Sequence, residues 1–292
     1  MKTIFALGFF DGVHLGHQAL LAACRELAEQ TGCQAGVVTF LNHPDAMVHG
    51  LAPRLINTAE DRRRLICRYG VDNIQELPFD KNLMQMPWQD FFALLLKKGA
   101  AGLVCGSDFR FGYRGEGTAD KLAKACADAG IRCRIIDQQV RNGIRISSTH
   151  IRALLEQGNM DQAVEFLGHP HLLTGQVVSG KQLGRTLGIP TANLRLPEHC
   201  LVPAFGVYAC KAFVAGRQYL AVTNVGTRPT VQGQDVTVEP WILDFDGDLY
   251  GQELSLEFYT LLRPERKFPS LVDLREEILK NAQQTRKIFE KV

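Results

Sequence analysis

Apolar and polar positions along this chain change their period near residue 168. Before it, short apolar runs alternate with longer segments of helical periodicity: TIFALGF (3–9), HQALLAACRELAEQTG (17–32), GVVTF (36–40), TAEDRRRLICRYG (58–70) and IQELPF (74–79). The alternation continues through WQDFFALLLKK (88–98), GLVCG (102–106), TADKLAKACADAG (118–130) and CRIIDQQV (133–140). Strand and helix in turn predict a parallel sheet with crossover helices. Thr58 with Asp61 makes a capping-box pattern, and Gly32, Gly70 and Gly130 stand where three helices should stop.

After LGHPH (167–171) the texture turns to strands and turns: TGQVVSG (174–180), GVYACKAFVAGRQYLAVTNVG (206–226) and VTVEPWILDFDGDLYGQELSLEFYTLLR (236–263). Ala215-Gly216 and Asp246-Gly247 read as hairpin turns between such runs. An amphipathic segment, LVDLREEILKNAQQTRKIF (271–289), closes the chain as a helix. The expectation is therefore an α/β domain over 1–168 and a small antiparallel β-barrel with one C-terminal helix over 169–292. Two domains also suit a length of 292 residues.

Composition narrows the partners. With 33 basic against 31 acidic residues the net charge is +2, so no bulk field draws the chain to nucleic acid or to a membrane. Eight cysteines without a CxxC pair suggest reduced thiols in a cytoplasmic protein rather than a disulfide framework or zinc site. MKTIFALGFF (1–10) has the opening of a signal peptide, but Asp11 ends the apolar stretch early and no small-residue cleavage site follows. No segment reaches the roughly 20 apolar residues of a membrane helix.

GFFDGVHLGH (8–17) carries the first candidate chemistry. If 3–9 is a strand, this loop lies at its carboxyl end and enters a helix, where open α/β sheets bind ligands. Gly8 and Gly12 let backbone approach phosphates, and the helix start favours anions. His14 and His17, at i and i+3, would share one side and could donate to phosphate oxygens. Two other readings stay open: the histidines merely cap the helix, or they hold a metal with Asp11. Three further polar loops should reach the same sheet edge. They are TFLNHP (39–44) with Asn42, CGSDFRFG (105–112) with Asp108 and Arg110, and RISSTHIR (145–152), with Ser148 and Thr149 at a helix cap and Arg145 and Arg152 seven apart.

Taken together, GFFDGVHLGH and RISSTHIR resemble the HxGH nucleotidyltransferases of Rossmann-like fold. CGSDFRFG narrows the likeness to the FMN adenylyltransferase module of bacterial bifunctional riboflavin kinase/FAD synthetases. The resemblance implies that His14 and His17 bind ATP phosphates and stabilise the transition state, within a loop of Gly8, Phe10, Asp11 and Gly12. It places Arg145, Ser148, Thr149 and Arg152 on the phosphates, and Asn42, Asp108 and Arg110 in the flavin or nucleotide site. TFLNHP departs from the family in the pair before His43-Pro44.

In the second half, VVSGKQLGRTLGIPTANL (177–194) holds three glycines, among them Gly180 and Gly184, with Lys181 and Arg185. These suit a phosphate loop that is not a Walker sequence, or equally an irregular barrel connection with solvated cations. Thr191 and Asn193 offer oxygens of the kind that hold Mg²⁺ or phosphate. GKQLGRTLGIPTANL, FGVYA (205–209), NVGTRPT (224–230) and DFDGDLYG (244–251) resemble the riboflavin kinase module of the same enzymes. That likeness implies Thr191 and Asn193 as ligands of Mg²⁺ and ATP phosphate and Glu239 as catalytic base. On its residue type alone Glu239 is an ordinary solvent-facing strand residue. DFDGD could suggest a calcium loop, but its glycine is misplaced and Ser255 stands where a bidentate glutamate is needed, so a hairpin turn accounts for it better. Pro240-Trp241 departs from the family, and Pro240 points to a sheet edge or bulge. Asn281 stands where the family often has aspartate.

The resemblance spans the chain and implies ATP-dependent conversion of riboflavin to FMN, then of FMN to FAD with release of pyrophosphate. The alternatives are a single-activity FMN adenylyltransferase with a flavin-binding but kinase-inactive barrel, and, more distantly, a flavin-sensing or RNA-binding regulator. Oligomeric state is not legible.

Overall fold

The run TIFAL becomes β1 (Thr3–Leu7), and all five of its side chains are buried, as in a strand covered on both faces. The structure is a computed structural model that describes residues 2–180, 184, 188–230 and 233–290. From β1 the chain runs through α1 (Leu15–Thr31), β2 (Gln34–Phe40), α2 (Pro44–Val48), α3 (Ala59–Arg68), β3 (Asn73–Leu77), α4 (Lys81–Gln85) and α5 (Trp88–Lys97). It continues through β4 (Ala100–Gly106), β5 (Arg110–Phe111), β6 (Gly117–Thr118), α6 (Ala119–Asp128), β7 (Arg132–Ile136), β8 (Val140–Arg141) and β9 (Ile144–Arg145). The central sheet is parallel with strand order β3-β2-β1-β4-β7. β1 and β2 pack closely because Gly36 leaves room: a Cβ there would stand 2.8 Å from Thr3 Cγ2 and 2.9 Å from the Phe5 ring. The order reverses between β1 and β4, so the crevice at their carboxyl ends is the switch point where such sheets take ligands. The loops after β1, β2 and β4 all open there, as the sequence predicts.

The second unit takes all but the first residue of α7 (Ser148–Glu156), then α8 (Met160–Leu167), β10 (His171–Val178), β11 (Asn193–Arg195), β12 (Gly206–Val214), β13 (Arg217–Thr230), β14 (Gly233–Ile242), β15 (Glu253–Pro264) and α9 (Leu271–Phe289). Its strands close a barrel in the order β10-β11-β14-β13-β12-β15, with β10 pairing back onto β15. Buried Val207, Val222, Leu243 and Ala282 join α9 to the barrel wall.

Three details differ from the sequence reading or refine it. Ala215-Gly216 does turn β12 into β13, both residues having positive φ (45° and 77°) as a type I′ hairpin requires. Asp246-Gly247, in contrast, is not a hairpin turn: β14 pairs with β11 and β13, never with β15, so 243–252 is a crossing between strands that are not neighbours. Pro240 lies in a barrel strand, opposite Thr223, but its carbonyl accepts from the Ala192 amide at 2.9 Å, just outside β11. Its missing N–H faces that same side, where no strand pairs, so the edge is a local one.

The compact units divide between Ser148 and Thr149, with Ile56–Thr58 also grouping with the second. The expected boundary was 168/169. Residues 149–168 group with the barrel because α8 packs on β10 and β15. The described cysteines are all free.

Candidate active sites

The loop after β1 is tight and unusually bent. Phe10, Gly12 and Val13 have positive φ (61°, 82° and 38°), and Phe10 and Val13 are fully buried despite it. Phe10 folds back so far that a Cβ on Gly8 would stand 3.2 Å from its ring, which explains that glycine. His14 caps α1: its Nδ1 accepts from the His17 amide at 3.3 Å, leaving Nε2 as the donor of a neutral ring. Gly16 lies beneath that ring, where a Cβ would meet Cε1 at 3.1 Å. The two imidazoles stack at 3.7 Å with 12° between planes, so they do share one side. Burial, then His14, then Arg62 hold His17 well below its ordinary value, and it is neutral at neutral pH. Its Nδ1 is buried with no hydrogen bond among the described residues.

The other predicted residues divide. Asp11 is buried, and its carbonyl accepts from Ser148 Oγ at 2.9 Å, which ties the start of α7 to the glycine loop. Ser148 and Thr149 are the first two residues of α7 rather than its cap, and Arg152 follows one turn later; Thr149 and Arg152 belong to the second compact unit. Asp108 and Arg145 are brought together as an ion pair, each half-exposed, so two expected ligands neutralise one another. Gly106 accommodates Asp108, since a Cβ there would meet Oδ1 at 2.9 Å. Arg110 is exposed at the start of β5. Asn42 spends its whole amide on Phe79, donating to the carbonyl and accepting from the N–H at 3.0 Å each. It clamps two loops together.

In the barrel, Val207, Asn224 and Glu239 form one cross-strand row, with Val222 and Trp241 in the row beside it. Because strand side chains alternate, Glu239 and Trp241 face one side of β14 while Pro240 and Ile242 face the other. A cavity lies on each side. The larger, about 590 Å³, is bounded by Glu239, Trp241, Asn224, Gly184, Phe268 and residues of α9. The smaller, about 400 Å³, is bounded by Pro240, Ile242 and the crossing residues Phe245 to Tyr250. Thr191 borders both.

Asn193, at the start of β11, lies against Gly180, where a Cβ would stand 2.2 Å from its Nδ2. Lys181 and Arg185 lie outside the described residues. The crossing is built by its own backbone: Asp248 Oδ1 accepts from the Tyr250 amide, and Asp244, at positive φ (58°), is gripped by both Nη atoms of Arg286 at 2.8 and 2.9 Å. Asn281 is buried and accepts from Arg263 Nε at 3.1 Å, so an amide serves where a carboxylate was expected.

The family model for FAD synthetase matches residues 1–150, and that for riboflavin kinase matches residues 167–289. The bifunctional riboflavin kinase/FMN adenylyltransferase of Listeria monocytogenes is 36% identical, covering 100% of this chain and 94% of that protein. The enzyme of the same description from Escherichia coli K12 is 35% identical, covering 98% and 92%. The chain belongs to the bifunctional riboflavin kinase/FMN adenylyltransferase family. It carries both modules in order, and so the two-activity reading holds over the single-activity alternative. A solved structure from Streptococcus pneumoniae, described as a macrolide-efflux protein, shares the fold at a TM-score of 0.88 and 31% identity, covering 98% of this chain and 94% of that one.

Within the adenylyltransferase module, sequence reasoning missed Arg62, which is 1% exposed and sits beside the glycine loop. Nothing marked it, because it is one of three successive arginines. In the kinase module it missed that PTAN and the DFDGDLYG crossing meet across one cavity.

Proposed function

We propose that riboflavin is phosphorylated by ATP in the barrel and that the resulting FMN is adenylylated by a second ATP at the carboxyl edge of the parallel sheet. The observation that carries the kinase assignment is Thr191, which borders two cavities on opposite sides of β14. The larger, with Glu239, Trp241 and Phe268, suits the broad apolar flavin. The smaller, with the Phe245 to Tyr250 crossing, suits the nucleotide. The ribityl hydroxyl and the terminal phosphate would then meet near Thr191, with Glu239 taking the hydroxyl proton.

Thr191 and Asn193 offer uncharged oxygens, a donor set that suits Mg²⁺ together with ATP phosphates. When bound, that ion would offset phosphate charge. Gly180 and Gly184 give the backbone close approach, and Lys181 and Arg185 are the cations of the same loop.

In the first unit a phosphate oxygen of FMN attacks the α-phosphorus of ATP, and the bond to the bridging oxygen breaks to release pyrophosphate. Neutral His14 and His17 donate to oxygens whose charge grows in that step, aided by the start of α1. Arg145 on β9, paired with Asp108, is the cation of this unit proposed for phosphate; Arg152 is kept as a phosphate ligand on the sequence likeness alone. Among the described residues no helix is long and apolar enough to cross a membrane. We take the enzyme as cytoplasmic, acting on small molecules and not on nucleic acid, a reading that the unpaired cysteines favour.

The test separates the two steps. His14→Ala with His17→Ala should abolish FAD formation and spare FMN formation, while Glu239→Gln should do the reverse. Equal loss of both activities in either variant would refute the division.

A further inference from the structure

Arg63 and Arg64 point outward, to Glu60, Glu76 and Asp61, but Arg62 turns inward and is 1% exposed. A buried guanidinium is costly unless its donors are used. Here one of them is used, on the edge where the first candidate site lies. Nη2 donates to the carbonyl of Phe40, the last residue of β2, at 2.7 Å, and stands 3.8 Å from Glu76 Oε1 on β3. The guanidinium carbon lies 4.4 Å over the Phe9 ring, in the loop after β1. His43 meets the same ring edge-on at 4.6 Å.

Phe9 is thus held between Arg62 and His43 at the point where the backbone enters its strained turn. Phe10, next in line, carries φ of 61° and sets its ring 5.1 Å from that of His17. Backbone held in such a conformation relaxes unless its surroundings fix it. The Arg62 Nε and Glu76 Oε1 atoms are buried with no hydrogen bond among the described residues, so this charge pair is poor as a purely structural device.

We propose that Arg62 is a positioning residue of the adenylyl-transfer site: by clamping Phe9 it fixes the Phe9 to Gly12 turn that aims His14 and His17 at the reacting phosphate. The inference rests on the reading of the first unit as the adenylyltransferase. Its charge has a second consequence. Among the described residues the charged or titratable groups that act on His17 are His14 on α1 and Arg62 on α3, and Arg62 is itself faced by Asp11 in the loop, Glu76 on β3 and Arg63 on α3. Removing the Arg62 charge, which holds His17 down, lets His17 protonate at higher pH.

The experiment uses the full-length enzyme with ATP, Mg²⁺ and added FMN, and riboflavin phosphorylation by the same preparation as internal control. Arg62→Met should lower kcat for FAD formation by about a hundredfold, a loss that misplacing a catalytic group by about 1 Å can cause, with both KM values nearly unchanged. The acid limb of its pH profile should move to higher pH, a shift that a filler role would not produce. Wild-type kcat, or a loss confined to KM with an unmoved pH profile, would overturn the proposal.

If Arg62→Met does not fold, Arg62→Lys decides. Its ammonium keeps the charge but cannot both lie flat on Phe9 and reach Phe40, so kcat should fall on the order of tenfold. Full kcat in folded Arg62→Lys would overturn the clamp. Wild-type enzyme that fails to turn FMN into FAD would instead defeat the reading beneath it.

Discussion

Gly180→Ala isolates the link between the barrel's proposed phosphate loop and Asn193, its proposed phosphate ligand. Gly180 follows β10, and Asn193 pairs with Val178 across from it. A methyl group at Gly180 would stand 2.2 Å from Asn193 Nδ2, 2.5 Å from Cγ and 2.7 Å from Oδ1. Ordinary contact begins near 3.4 Å, so the amide must retreat by about 1.2 Å (3.4 − 2.2). Because the obstacle is the end of a side chain, the side chain moves and the barrel survives, at about 1–3 kcal/mol of stability. A displacement of that size at a ligand to the transferring phosphate lowers the rate by about a hundredfold, or about 2.7 kcal/mol in the barrier. The assay is the initial rate of FMN formation from riboflavin, with FAD formation from added FMN as internal control. Gly216→Ala, in the β12–β13 turn, is the matching control: nothing lies within 4 Å and only its φ of 77° is strained. Kinase activity in Gly180→Ala within about threefold of wild type, well short of the loss expected from such a displacement, would refute the role given to Asn193.

Two further outcomes follow from the barrel. Arg286→Ala removes both bonds to Asp244 and frees the crossing that lines the smaller cavity, so the KM for ATP in FMN formation should rise several-fold while adenylylation is unchanged; an unchanged KM would contradict that anchoring. Burial, then His169, push His171 down to about 3, so between pH 6.5 and 3 the unfolded chain binds a proton that the folded barrel does not. Stability should therefore fall with pH in that window, by about 1.4 kcal/mol per pH unit from this residue. Denaturant melts at pH 7.5 and 5.5 should show this loss in wild type and less of it in His171→Leu; identical pH dependence would contradict it.

What was legible in the sequence was what short-range pattern determines. TIFAL is apolar at every position because both its faces are covered, and GFFDGVHLGH carries its own turn, cap and histidine pair within ten residues. Ala215-Gly216 signals its hairpin for the same reason. What escaped depended on distant pairing. Asp246-Gly247 looks like the same signal, yet which strands β14 joins is decided by barrel closure and not by the turn.

Asn42 finds Phe79 and Asp108 finds Arg145 across 37 residues each, and neither side chain advertises its partner. Arg62 is hidden in RRR because helical phase decides which arginine turns inward, and the phase follows from the packing of α3. The allegiance of α8 likewise follows from its contacts with β10 and β15, beyond any composition shift near residue 168.

The measurement that bears most directly on the account is a time course of the purified chain with riboflavin, ATP and Mg²⁺, the flavins being separated by chromatography. The account predicts that FMN rises first and then gives way to FAD. Riboflavin left untouched while added FMN becomes FAD would contradict it, and would direct attention to Trp241 in the larger cavity.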